Sequence, residues 1–149
     1  MNKEDYIISI VGEQKYEDER DNSKINLDTL GTYFRRGKAW HITYREYDED
    51  NPQVSHIASV KVENLENNRV TMTKAGGTKL ILEKGERHSC AYNTLYGALV
   101  LGVYTSDIES TLDENGGELK IKYTLDINSS LASENSIYIK VKKADTERM

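Results

Sequence analysis

Leu119, Ile121, Tyr123, Leu125 and Ile127 alternate with Lys120, Lys122, Thr124 and Asp126. A period of two puts the apolar set on one face of a β-strand and the polar set on the other. The alternation returns in Ile137, Ile139 and Val141 against Tyr138, Lys140 and Lys142, and in Trp40, Ile42 and Tyr44 against His41, Thr43 and Arg45. Weaker versions run through Ile25, Leu27 and Thr29, through His56, Ala58, Val60 and Val62, and through Val70 and Met72. Turn signals separate these runs at Arg36-Gly37-Lys38, Asp50-Asn51-Pro52, Asn67-Asn68, Gly76-Gly77 and Asn115-Gly116-Gly117. Turns this close together, with no long helical period, predict antiparallel hairpins and roughly nine or ten strands. One stretch is ambiguous. Ser106-Asp107-Ile108-Glu109 matches a capping box, with Ile108 and Leu112 on one face of a short helix within 106–114, and it reads almost as well as a continuing strand.

An antiparallel sheet of this size must protect its edges, and closure into a barrel does so most completely. The predicted architecture is therefore all-β: one domain over residues 1–149, a single antiparallel lipocalin-like barrel of about 8–10 strands. It has at most one short helix near 106–114, and a frayed tail from about 144 to 149. The 149 residues suit one domain with its own core.

Composition narrows the function classes. Ten tyrosines stand against one tryptophan and one phenylalanine, and tyrosine suits strands that are dry on one side and wet on the other. The net charge is -5, which argues against a general nucleic-acid or anionic-membrane surface but leaves a local basic patch open. The apolar run in MNKEDYIISIVGEQ is too short and too charged for a signal peptide or a membrane span. A lone cysteine, Cys90, forms no internal disulfide and fits a reducing cytoplasm. Asn128-Ser129-Ser130 is a chance sequon in that setting.

Candidate chemistry follows from parity. Glu46 shares a face with Trp40, Ile42 and Tyr44, and Lys74 shares one with Val70 and Met72. If both strands run far enough, a carboxylate and an ammonium meet near a barrel mouth; if the strands end sooner, both charges are solvated. Tyr92, Thr94 and Tyr96 form a row of hydroxyls on one strand face, either lining a cavity or filling a core. Gly97 and Gly102 lack the Lys-Ser/Thr and the helix of a phosphate loop. Cys90 has His88 and Arg87 nearby, but an inert buried thiol is the simpler reading. His41, His56 and His88 show no metal-ligand spacing, so neither a metal nor a cofactor is predicted.

Several segments carry a family resemblance: Gly31-Thr32-Tyr33, Ile42-Thr43-Tyr44-Arg45-Glu46, Val70-Thr71-Met72-Thr73-Lys74-Ala75-Gly76, Tyr92-Asn93-Thr94-Leu95-Tyr96-Gly97 and Gly117 to Leu125. In this order and spacing, from about Ile7 to Val141, the chain resembles the YwiB-like proteins of Firmicutes, the DUF1934 domain. The resemblance implies a calycin-like barrel and no established activity. Lys74 stands where that family often has arginine, and an ammonium cannot supply the bidentate fork of a guanidinium.

Together these readings point to a cytoplasmic barrel that binds a small molecule in its interior or mouth without transforming it. Trp40, Tyr44, Glu46, Lys74, Tyr92, Thr94, Tyr96 and Tyr123 are the candidate lining. No nucleic-acid or membrane partner is expected. The alternatives are a scaffold that contacts a protein partner or its own copy through outward tyrosines such as Tyr104 and Tyr138, and, third, an enzyme with Glu46 as acid or base.

Overall fold

The computed structural model describes residues 6–16, 23–47, 51, 53–63, 69–73, 79–94, 97–128 and 130–144; the side chains of residues 23, 90–94, 98 and 132 lie outside that description. Ten strands follow one another: β1 (Tyr6–Tyr16), β2 (Ser23–Arg36), β3 (Ala39–Tyr47), β4 (Ser55–Glu63), β5 (Arg69–Thr73), β6 (Lys79–Glu83), β7 (Arg87–Thr94), β8 (Gly97–Ser110), β9 (Gly116–Ile127) and β10 (Ser130–Lys143). All are antiparallel neighbours in the order β6-β5-β4-β3-β2-β1-β10-β9-β8-β7. The N- and C-terminal strands thus pair in the middle of the sheet, from Tyr6 opposite Lys143 to Tyr16 opposite Ser133.

The two ends of this order, β6 and β7, meet and nearly close a barrel. Lys84, just past β6, forms a parallel bridge with Thr105 of β8. Gly85 N–H donates to the Thr105 carbonyl at 2.8 Å, and Thr105 N–H donates to the Glu86 carbonyl at 3.4 Å. Side chains reinforce the seam. Glu83 accepts from His88 Nε2 at 3.0 Å and pairs with Arg69 at 3.6 Å, while Lys84 pairs with Asp107 at 3.3 Å. An ionised carboxylate only accepts, so His88 Nε2 carries the proton in that contact.

Alternation places the core inside. Ile8, Ile42, Val60, Val62, Val70, Leu82, Leu119, Ile121 and Ile139 are fully buried and belong to one apolar cluster. One end of the barrel is sealed. Tyr33 stacks on Trp40 with ring centroids 5.0 Å apart, and Tyr6 meets Tyr33 edge-on at 5.3 Å. Arg35 lies over the Trp40 ring at 5.8 Å, and its Nε donates to the Gly37 carbonyl at 3.0 Å. The Tyr33 hydroxyl donates to the Asp113 carbonyl at 2.7 Å, tying the β8–β9 connection across this end, where Leu112 is buried. Burial first, then the Asp113 charge, pushes the Tyr33 phenol above its usual pKa.

The 106–114 stretch resolves as strand through Ser110, with no helix among the described residues. A register shift between Thr105 and Asp107 absorbs one residue, after which Ile108 pairs with Ile121 and is buried. Ser106 Oγ donates to the Lys122 carbonyl at 3.2 Å instead of capping a helix. A helix this short makes few hydrogen bonds for its nucleation cost, whereas the strand extends a ladder already formed. Gly97 opens β8 at φ 115°. Gly102 leaves room for Arg87 to clasp Asp126 across the strand, with N–O distances of 2.6 and 3.3 Å.

Two predictions follow from this packing. A Cβ at Gly31 would collide with the Thr43 carbonyl oxygen and the Ile8 side chain, whereas one at Gly12 meets nothing within 4 Å. In urea denaturation, Gly31→Ala should cost about 1–3 kcal/mol, and Gly12→Ala should stay within about 0.5 kcal/mol of the parent. The second concerns acid. The His88 hydrogen bond, helped by Arg69 and opposed by burial, holds the Glu83 carboxyl below its usual value of 4.5. Glu83 therefore contributes stability above the ordinary carboxyl pKa, and this is lost as pH falls through its lower folded value. Glu83→Gln should flatten the acid limb of the stability curve; an unchanged limb would show that the seam pair contributes nothing.

Candidate functional site: the polar half of the barrel

On β1 the inner face carries Ile8, Ile10, Gly12 and Gln14 in turn. Register carries this face across the sheet: Gln14 lies opposite Asn135, Asn135 opposite Tyr123, and Tyr123 opposite Thr105. Four polar residues on four adjacent strands thus form one transverse row inside the barrel. Ser133 stands one step beyond it, opposite Tyr16 on one side and Leu125 on the other. These groups are withdrawn from water: Thr105 is 0%, Ser133 2%, Asn135 9% and Tyr123 9% exposed.

Their hydrogen bonds leave a defined surplus. Tyr16 OH donates to Gln14 Oε1 at 2.6 Å, which orients the amide. Gln14 Nε2 donates to Ser133 Oγ at 3.3 Å, and Asn135 Nδ2 donates to the same oxygen at 3.0 Å. Ser133 accepts twice, so its own proton is left to donate. Thr105 Oγ1 is buried with no hydrogen-bond partner among the described residues. Burial raises the Tyr123 phenol pKa and keeps it protonated. The row therefore offers hydroxyl protons and an amide oxygen, with no charged side chain among its members.

Directly below this row the barrel is not filled. Gly12 sits opposite Ile25 on β2 and Ile137 on β10, and the space its side chain would enter is open. Ile25 holds an inward register position yet is 62% exposed, so the wall is incomplete on that side. The sealed end with its aromatic stack and this open, polar half differ in chemistry as well as in packing.

The candidate residues read from sequence distribute unevenly over this frame. Tyr123 is in the row. Trp40 is in the sealing stack, six residues along β3 from Glu46 and so roughly 20 Å away. Tyr44 is buried, opposite Gly31 and Ala58, and burial followed by the Glu46 charge raises its pKa. Glu46 is half-buried near the end of β3, opposite the exposed His56. Tyr92 and Thr94 hold β7 positions opposite Leu99 and Gly97, and Cys90 one opposite Leu101, but their side chains lie outside the described residues. Lys74 and Tyr96 lie outside them altogether, and with Lys74 its pairing with Glu46. Gln14, Thr105, Ser133 and Asn135 were not anticipated. Their signal was present as polar residues at positions where the strand alternation calls for apolar ones. Among the described residues no three His, Cys, Asp or Glu side chains cluster as metal ligands, and no helix is long and apolar enough to cross a membrane.

Comparison with known proteins agrees with this architecture. The model of the "domain of unknown function (DUF1934)" matches residues 8–139. The chain belongs to the DUF1934 family. The crystal structure of the ywiB protein from Bacillus subtilis is similar to this DUF1934 chain at a TM-score of 0.69 and 20% identity, covering 97% of this chain and 96% of that one. Identity at that level shows a shared fold. No curated protein matches the sequence.

The unpartnered hydroxyl gives a direct test of how the row is built. A buried polar group without a partner costs about 1–3 kcal/mol, and an isosteric methyl removes that cost. Thr105→Val should therefore raise stability in thermal or urea melts by about 1 kcal/mol. A loss of stability would show that the hydroxyl is satisfied within the folded chain.

Proposed function

We propose that this DUF1934 barrel binds a small, neutral, polar molecule in its open half and does not transform it. The observation that carries the reading is the open space at Gly12 beneath a row of buried, incompletely bonded hydroxyl and amide groups. Small-molecule sites combine apolar walls with a few placed polar groups. Here Ile10, Ile137 and Leu125 supply the apolar surface, and Thr105, Tyr123, Ser133 and Asn135 supply direction. A ligand carbonyl or hydroxyl would take up the free protons of the row. A carboxylate would find no cation among the described members of the row to offset its desolvation, which disfavours an anionic guest.

Binding in place of catalysis rests on the chemistry of the row. Hydroxyls, a phenol and an amide hold a guest, but among the described members of the row no base stands ready to move a proton. The test is ligand-observed NMR with a panel of small uncharged alcohols and amides. Saturable binding to the parent protein is expected. Gly12→Leu, which fills the open space, should abolish it while leaving the melting temperature unchanged or raised. Thr105→Val should weaken it despite greater stability. Equal binding by the parent and Gly12→Leu, or none by the parent, would overturn the reading.

A further inference from the structure

The outer face of the β2–β3 hairpin holds a second feature, remote from the barrel interior. Phe34 lies opposite His41, Arg36 opposite Ala39, His41 opposite Lys61, and Ala39 opposite Glu63. Arg36, Lys38, Ala39, His41, Lys61 and Glu63 line an open surface hollow of about 390 Å³. We propose that this hollow binds a phosphoryl group.

Charge is the first argument. Three cations face one carboxylate in a chain whose net charge is -5, so positive charge is concentrated here against the average. Lys61 is 3.9 Å from Glu63, which offsets one cation. Lys38 has no ion-pair partner among the described residues.

Organisation is the second. Arg36 is held with its guanidinium 5.6 Å above the Phe34 ring, and Phe34 stacks on His41 with centroids 5.0 Å apart and planes 6° from parallel. A guanidinium parked on an aromatic face keeps its forked donors directed and loses little freedom on meeting a phosphate. The turn that carries Lys38 is fixed by the left-handed Gly37, φ 62°, whose carbonyl accepts from Arg35. The floor is small at Ala39, and the half-buried His41 ring lies beside it as a further polar group. The His41 pKa is lowered by burial first, then by Arg36 and Lys61, with Glu63 opposing. Of these causes, the Arg36 and Lys61 charges are the ones that would also favour an anion.

Free phosphate and the phosphomonoester of a nucleotide share this chemistry, and titrations of amide and imidazole resonances separate them. Sodium phosphate should produce saturable shifts at Arg36, Lys38, His41 and Lys61, absent with sodium chloride at equal ionic strength, and should move the His41 titration upward. Arg36→Gln combined with Lys61→Met should weaken binding on the order of tenfold or more, since hydrogen bonds to charged groups are involved. These positions lie on the surface, and the circular dichroism spectrum and melting temperature of the variant check its fold. Equal affinity for phosphate and a nucleoside monophosphate supports the site and assigns it to the free anion. Tighter binding of the nucleotide supports it and adds a base stacked at Phe34 and His41. Shifts no greater than those with chloride, an unaffected double variant, or response only to a single-stranded oligonucleotide would each overturn the proposal.

Discussion

The whole barrel depends on what happens at Thr105. An antiparallel sheet of ten strands has two raw edges, β6 and β7, which follow each other in the chain yet stand at opposite ends of the strand order. The residues between them lean on β8, where the Thr105 carbonyl and N–H take bonds from Gly85 and to Glu86. That exchange converts an open sheet with exposed edges into a nearly continuous wall. The same residue turns its hydroxyl inward, into the polar row. Closure of the fold and character of the interior thus share one position, and the register shift beside it lets β8 serve both.

Apolar packing and buried polarity are divided along the barrel axis. The sealed end concentrates large aromatic surface, a tyrosine hydroxyl bonded to a carbonyl, and an arginine over tryptophan. The fully buried aliphatic residues complete a floor whose burial drives folding. The polar half spends some of that stability on groups withdrawn from water without full hydrogen bonding. Proteins commonly give up stability where they bind, and under the proposed reading the two demands fall on separate stretches of the same strands.

Much of the fold was legible because strand alternation is a local signal. The runs ending at Ile127 and Val141 announced β9 and β10 directly, and Gly37, Asn115 and Gly116 announced turns where turns occur. Parity, however, names a face and not a height along the barrel. Trp40 and Glu46 share a face of β3, yet one helps seal an end and the other lies near the strand's opposite limit. The polar row was hidden for a related reason. Register shifts between Thr105 and Asp107 and between Leu131 and Ser133 interrupt the alternation where β8 and β10 enter it. Knowing that Gln14, Asn135, Tyr123 and Thr105 align requires strand pairing over more than a hundred residues of sequence, which no local pattern carries.

Arg35 and Arg36 are consecutive, and the pleat sends them to opposite sides of the wall. Arg35 covers Trp40 at the sealed end, while Arg36 lies on Phe34 at the outer surface. A two-residue turn, Gly37-Lys38, sets both assignments at once. Its length is consequently a shared gauge: one residue more or fewer in the turn would change what both arginines face on β3. The interior seal and the exterior charge cannot drift independently through insertion or deletion. A change of side chain can alter one surface alone, whereas a change of spacing disturbs both together.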